Sequence, residues 1–289
     1  MTTCTVDAGG VSPVGLSHYG QVGHEERLQT VAPPKIERFV SISDLHFPYE
    51  DPAAMVLVEK FLDDFRPDRL VINGDAVDAP MLSKYQPRRV EVVRATNLQE
   101  HLDHANSGLD RILRLAGRTD WVDGNHEDRL EIYLGSRAPE LGSLRSLSMQ
   151  ELLGLPARRV AYHNYGSGVY LAPDLFVYHG RYIGSQWTDK ERVAAGVSTI
   201  TGHQHKQRVT YHSDRQRRYK NVGQGCLCKL NPPYSPTPPD WQQGFVHGYV
   251  WGGNRFRVIE TEIVRSHEGT VWMAPEGVVY EVKEGVKWL

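Results

Sequence analysis

Along the first half of the chain, short apolar runs alternate with amphipathic stretches, and each apolar run ends in polar residues. Ile36 to Ile42 (IERFVSI) joins β-branched and aromatic side chains and predicts a strand that runs into Ser43-Asp44-Leu45-His46. Asp51 before Pro52 has the form of a helix N-cap with proline at the first helical position. Ala54, Leu57, Val58, Phe61, Leu62 and Phe65 then share one helical face, and Pro67 ends the helix. Arg69 to Asn73 reads as a buried strand ending in Gly74-Asp75-Ala76-Val77-Asp78. Strand, helix, strand favours a parallel pair with a right-handed crossover. Leu98, Leu102, Ala105, Leu109, Ile112 and Ala116 predict a second helix over residues 88–116, with His101 and His104 on its surface or flank. A brief strand, Thr119 to Val122, then delivers Asp123-Gly124-Asn125-His126-Glu127. Gly124 there permits a sharp backbone turn that presents Asn125 and His126 at the mouth of a sheet.

The pattern changes in the second half. Residues 128–156 read as helical and then irregular, broken by Gly135, Gly142 and Pro156. Strand patterns follow at Arg159 to Asn164, Val169 to Leu171 and Leu175 to Tyr178, the last ending in His179-Gly180. Trp187 to Ala195 predicts a helix, and Ser198 to Thr201 a strand ending in Gly202-His203-Gln204-His205. β-rich runs and turns occupy the remainder, with a proline-rich loop at 232–239 and no internal repeat. Residues 1–34 show no sustained period and are expected to be a flexible lead-in, which leaves 35–289 as the folded domain.

Bulk properties narrow the picture. A chain of 289 residues supports one substantial core, and a formal charge of −2 provides no overall basic field for nucleic acid. No run approaches the length of a membrane span, and no basic start precedes an apolar run, so the expectation is a cytoplasmic protein that does not meet the membrane. Cys4, Cys226 and Cys228 make a poor disulfide framework, and one Cys-x-Cys pair alone is a weak zinc signal. Histidine stands out at thirteen residues, several in tight pairs. His18, His24, His163, His212, His247 and His267 lack motif context and read as structural or surface residues.

Five strand ends carry the chemistry: Asp44-x-His46, Gly74-Asp75-x-x-Asp78, Gly124-Asn125-His126-Glu127, His179-Gly180 and Gly202-His203-x-His205. Ligands of open α/β sheets bind outside the carboxyl ends of strands, so these sets are expected at one rim. Positions i and i+2 of an extended chain point the same way, which aims Asp44 with His46, and His203 with His205, at a common centre. In this order the five motifs resemble the calcineurin-like metallophosphoesterase superfamily, over most of residues 35–265.

The resemblance implies an α/β fold in which two mixed sheets form a β-sandwich flanked by helices, a four-layer α/β/β/α arrangement. It also implies a two-metal site: Asp44, His46 and His205 on one ion, Asn125, His179 and His203 on the other, and Asp75 bridging. No thiolate enters that set, and its mixture of imidazole and oxygen suits Mn first, with Fe, Zn, Ni or Mg as alternatives. Metal-bound hydroxide would attack phosphorus, His126 would protonate the leaving oxygen or stabilise phosphoryl charge, and Asp78 would orient His126 and favour its protonated form. Glu127 stays open between a chemical and a structural role.

Substrate class is less marked. Ala79-Pro80 stands where protein serine/threonine phosphatases carry Arg-Gly, which disfavours that branch and removes its phosphate-clamping arginine. Arg181 and Tyr182, just past His179, and Lys206, just past His205, are candidate substrate contacts. Arg208 to Lys220 interleaves basic and aromatic residues, either as a nucleic-acid track or as a β-hairpin turning at Ser213-Asp214 with a solvated basic face. The expectation is a phosphodiesterase acting on nucleic-acid or nucleotide diesters. A phosphomonoesterase would share every ligand, and a non-catalytic scaffold on this fold would lack some of them.

Overall fold

The computed structural model describes residues 35–83, 97–232 and 239–289. The expected lead-in at 1–34, the stretch 88–96 of the expected second helix and residues 233–238 of the proline-rich loop lie outside the described residues.

Strand β1 (Ile36–Ile42) pairs in parallel with β2 (Arg69–Asn73), and β2 with β3 (Arg118–Val122). β4 (Ala161–His163) closes that edge, again in parallel. Across β1 the sheet turns antiparallel through β10 (Gln243–Trp251), β11 (Arg255–Arg265), β12 (Thr270–Met273) and β13 (Tyr280–Lys283). The second sheet has the order β5 (Val169–Ala172), β6 (Leu175–Val177), β7 (Ser198–Thr201), β9 (Arg218–Gln224), β8 (Gln207–Ser213). Both sheets are mixed.

Helices α1 (Pro52–Phe65) and α2 (Leu98–Leu113) cover the outer face of the large sheet, and α5 (Trp187–Ala195) lies on the small one. The uninterrupted apolar runs follow from this layering, because each central strand is buried on both faces. In β1 to β3, Val40, Ile42, Leu70, Ile72 and Trp121 face the helices. Phe39, Val71 and Val122 face the second sheet, where Val177, Ile200 and Val222 meet them. Truncating one of these fully buried aliphatic residues to alanine costs about 2–5 kcal/mol.

Local signals set the helix ends. The Asp51 side chain accepts from the Ala54 N–H at 3.0 Å, and the helix closes at left-handed Arg66 (φ 49°), because a residue preceding proline avoids the helical region. For α2 the cap is Asn97, which accepts from the Gln99 N–H, so the helix starts at Leu98. His101 differs from expectation: it is buried edge-on against Tyr49, while half-exposed His104 lies 2.8 Å from Glu50. Residues 128–156 form α3 (Asp128–Arg137), two 3₁₀ turns and the single-turn α4 (Met149–Leu152).

The basic strip is the β8–β9 hairpin. Asp214 Oδ1 accepts from the Gln216 and Arg217 N–H groups at its turn. Several of its cations are engaged locally: Arg217 with Asp174, Lys220 with Glu260, and Arg208 with the Ser185 carbonyl. Among the described residues, no helix is long and apolar enough to cross a membrane.

Candidate metal centre

Parallel strands β1, β2 and β3 of one sheet and β6 and β7 of the other end at the same rim, and all five motifs follow those ends. Backbone bonds stitch the loops together: Asp44 N–H donates to Gly74 O, His46 N–H to Asp75 O and Gly202 N–H to His179 O, each at 3.0 Å.

The side chains converge by an unexpected route. Asp44, His46, Asp75, His203 and His205 all have φ between 50° and 68°, in the left-handed region. The pairs Asp44/His46 and His203/His205 are therefore brought together by tight turns and not by extended alternation. Left-handed backbone costs a non-glycine residue about 1–2 kcal/mol. Of the nine such residues in the described chain, five belong to this one cluster, so the strain is concentrated where the chemistry is.

Gly124 also acts differently from expectation. Its φ is ordinary; what matters is the missing Cβ, which would collide with the carboxylate and backbone of Asp75. Gly74 combines both requirements, with φ +82° and the His179 ring packed where a Cβ would stand.

The ring splits into two halves around Asp75. In the first, His205 Nε2 lies 3.0 Å from Asp44 Oδ1 and 3.1 Å from His46 Nε2. His46 Nε2 is 4.0 Å from both Asp44 Oδ1 and Asp75 Oδ2. In the second, His179 Nε2 lies 3.2 Å from Asp75 Oδ2, and the His179 and His203 rings meet edge to face. His203 also donates its backbone N–H to the Asp44 carboxylate. Donor atoms of Asp44, His46, Asp75 and His205 lie within 4.8 Å of one another, as do those of Asp75, His179 and His203.

Three observations fit this ring to cations. The first is a buried atom, Asn125 Oδ1, without a hydrogen-bond partner, a deficit of about 1–3 kcal/mol. The second is orientation: His179 Nδ1–H donates to the Asn73 carbonyl at 2.8 Å and His46 Nδ1–H to Asp78 Oδ1 at 2.8 Å, which turns both Nε2 atoms inward. The third is charge. Burial would raise Asp44 and Asp75, but neighbouring imidazoles outweigh it and hold both carboxyls low. Burial would lower His179 and His205, yet Asp75 and Asp44 respectively push each up to about 10. His46 and His203 are lowered, mainly by burial. Each half thus draws one positive charge onto one of its two imidazoles, which a divalent ion would displace.

Around the ring, Asp78 serves two histidines, its Oδ1 lying 2.8 Å from His46 Nδ1 and 3.1 Å from His126 Nδ1. Burial would raise its carboxyl, but hydrogen bonds from His126 and His46 keep it far below the usual range. Glu127 is a latch: its buried carboxylate accepts from the backbone N–H groups of Asp75, Val77 and Gly124 at 2.8–2.9 Å, joining two motif loops. Arg181 flanks His179 beside Tyr165. Lys206 instead pairs with Asp240 at 2.6 Å.

One residue escaped the sequence reading, and a second was weighed there only as half of a weak cysteine pair. Arg129 Nη2 donates to His126 Nε2 at 2.6 Å and its Nη1 to the Asp78 carbonyl at 2.8 Å. Arginine cannot accept, so His126 presents a lone pair at Nε2 and a proton at Nδ1. The i, i+3 spacing from His126 into a helix start was the available signal. Cys228 is the second: its sulfur lies within 4.8 Å of ring nitrogens of His46 and His205. A cavity of about 900 Å³ opens beside Asn125 and Arg129, walled by Met81, Ile132, Tyr133 and Tyr165.

A family model described as calcineurin-like phosphoesterase matches residues 37–257. The Gene 54 proteins of mycobacteriophages D29 and L5 are each 26% identical over 232 residues, covering 72% of this chain and 87% of theirs. Among solved structures, Chaetomium thermophilum Vps29 is similar at 11% identity and TM-score 0.47, over 86% of this chain and 98% of that one. Purple acid phosphatase PPD1 from yellow lupin is similar at 12% identity and TM-score 0.44, over 86% of this chain and 53% of that one.

Proposed function

The chain belongs to the calcineurin-like phosphoesterase family, and from that premise we propose that it is a dinuclear-metal-dependent phosphodiesterase acting on nucleotide or nucleic-acid diesters. Asp44, His46 and His205 would hold one divalent ion and Asn125, His179 and His203 the other, with Asp75 between them and Mn as the working metal. Bound there, two such ions neutralise phosphate oxygens and make water a competent nucleophile near neutral pH.

The chain's own groups supply the rest. Arg129, on the first turn of α3, takes the place of the clamp missing after Asp78: its guanidinium turns from His126 to a phosphoryl oxygen. That frees His126 Nε2, with Nδ1–H held by Asp78, to take up a proton and present it to the leaving oxygen. Arg181 offers a second cation beside His179.

The observation that carries the diester reading is the cavity beside Asn125 and Arg129. Its apolar and tyrosine walls give room to a second organic group on phosphorus, which a phosphomonoester lacks. The test is turnover with Mn of bis-p-nitrophenyl phosphate against p-nitrophenyl phosphate, followed by single-stranded DNA, RNA and cyclic nucleotides. We expect kcat/KM to favour the diester by about tenfold or more. The reverse preference would make the protein a phosphomonoesterase, and no hydrolysis of either by metal-loaded protein would remove the enzymatic reading.

A further inference from the structure

Helix α3 leaves the metal centre with a stripe of side chains that the core does not use. Leu130 and the half-buried Leu134 turn into the main apolar cluster, and Leu130 is the only buried residue of the ten. On another face Arg129, Ile132, Tyr133, Ser136 and Arg137 recur at i, i+3, i+4, i+7 and i+8, the spacing of a single helical stripe, and all five line the cavity beside Asn125. Ile132 is 57% exposed and Tyr133 44%. Large apolar side chains held open beside one another mark a contact surface.

Charge and length define what fits that surface. Arg129 marks the metal end, 2.6 Å from His126 Nε2. Arg137 follows eight positions later, about 12 Å along the axis at about 1.5 Å per residue. It is exposed and has no hydrogen-bond or ion-pair partner among the described residues. Asp128, the one carboxylate of the cavity lining among those residues, sits at the metal end, so nothing acidic in the lining offsets Arg137. A substrate with one phosphate satisfies Arg129 and leaves Arg137 without a counter-ion. A stacked single strand rises about 3.4 Å per nucleotide, so about four nucleotides span the two arginines. An aromatic ring between two cations complements an anionic strand with unpaired bases better than it complements a protein surface.

We propose that α3 is a track for single-stranded nucleic acid, with the scissile phosphate beside Arg129, an unpaired base on the Tyr133 ring and a later phosphate of the same strand on Arg137. This substrate assignment rests on the phosphodiesterase reading and narrows it to strands over cyclic or free nucleotides. In a duplex the base faces are stacked on one another, so Tyr133 selects against double strands.

Fluorescence anisotropy tests the track without turnover. Full-length protein is held in chelator, where the arginines and the tyrosine need no metal, and is titrated against labelled oligothymidylate and oligouridylate of about twelve nucleotides and against the dinucleotides. We expect the oligomers to bind about tenfold or more tighter than the dinucleotides. Tyr133→Ala should weaken oligomer binding about tenfold at an unchanged salt slope, and Tyr133→Phe should restore it. Arg137→Ala should lower the slope of log affinity against log salt by about 0.7, and Arg137→Lys should restore it. Preference for one oligomer over the other identifies the sugar the track accepts. Oligomers that bind no tighter than dinucleotides overturn the track, as does oligomer binding indifferent to both alanine substitutions; either result leaves the diester reading intact if Mn-loaded protein still hydrolyses bis-p-nitrophenyl phosphate. No hydrolysis of any diester removes that reading and the substrate assignment with it.

Discussion

The two halves of the candidate centre share residue types and differ in depth. Asp44, His46 and His205 are buried beneath the first motif, with Asp78 behind one histidine and Cys228 near the other. His179 is buried too, but Asn125 and His203 are half-exposed, and Asn125 lines the large cavity. Each half draws one positive charge by the same balance of burial against a carboxylate. What the difference teaches is a division of labour: the inner half is built to retain an ion, the outer half to bring one into contact with a substrate.

Asp75 belongs to both halves, so Asp75→Asn should abolish the distinction and produce the largest loss. We expect both ions to bind weakly and kcat/KM to fall by about a thousandfold or more, equivalent to about 4 kcal/mol, by metal analysis and diester turnover. His203→Ala should separate the halves. Its expected result is one tightly held ion per chain and activity reduced by about a hundredfold; loss of both ions would show that the halves do not act independently. His126→Ala should touch neither ion and lower turnover by about a hundredfold, and equal metal loss there would place His126 among the ligands.

The smallest effect lies behind the outer half. Asp123 is buried beneath the Tyr162 hydroxyl and the Trp121 indole, and burial together with Glu127 pushes its carboxyl up to about 7. A raised folded-state value favours the protonated form, so this contribution is complete below about pH 4 and is lost as pH rises to about 7. Asp123→Asn should remove that pH dependence and stabilise the protein at pH 8 by about 1–2 kcal/mol, less than the full shift implies because Glu127 shares the burial. Denaturant midpoints at pH 5 and pH 8 measure it, and parallel losses in both proteins would refute it.

The elements that the sequence marks most sharply are bounded by their own chemistry. Strand β1 runs from Ile36 to Ile42, α1 begins behind Asp51 and Pro52, and α5 runs from Trp187 to Ala195, each matching its apolar run and terminal signals. The five strand-end motifs were legible for the same reason, since the apolar run before each one fixes its place on the rim. Arg129 was not, because its role depends on α3 starting at Asp128 and swinging the guanidinium back over His126. Cys228 was read as a weak half of a cysteine pair, and only its backbone bonds to Asp44 bring it to the ring. Gly124 was noticed for its freedom, whereas its value is the space it leaves for Asp75. Contacts across distant segments leave no periodic trace in a linear pattern.

The left-handed residues of the rim bear on how such a protein changes over generations. Five side chains there occupy a conformation in which glycine would be more comfortable, so the backbone itself opposes them. A population screened for heat resistance alone should drift toward glycine at these positions, whereas one screened for metal-dependent turnover should not. The residues that survive the second screen and vanish in the first would mark out the centre without any assay of a single variant.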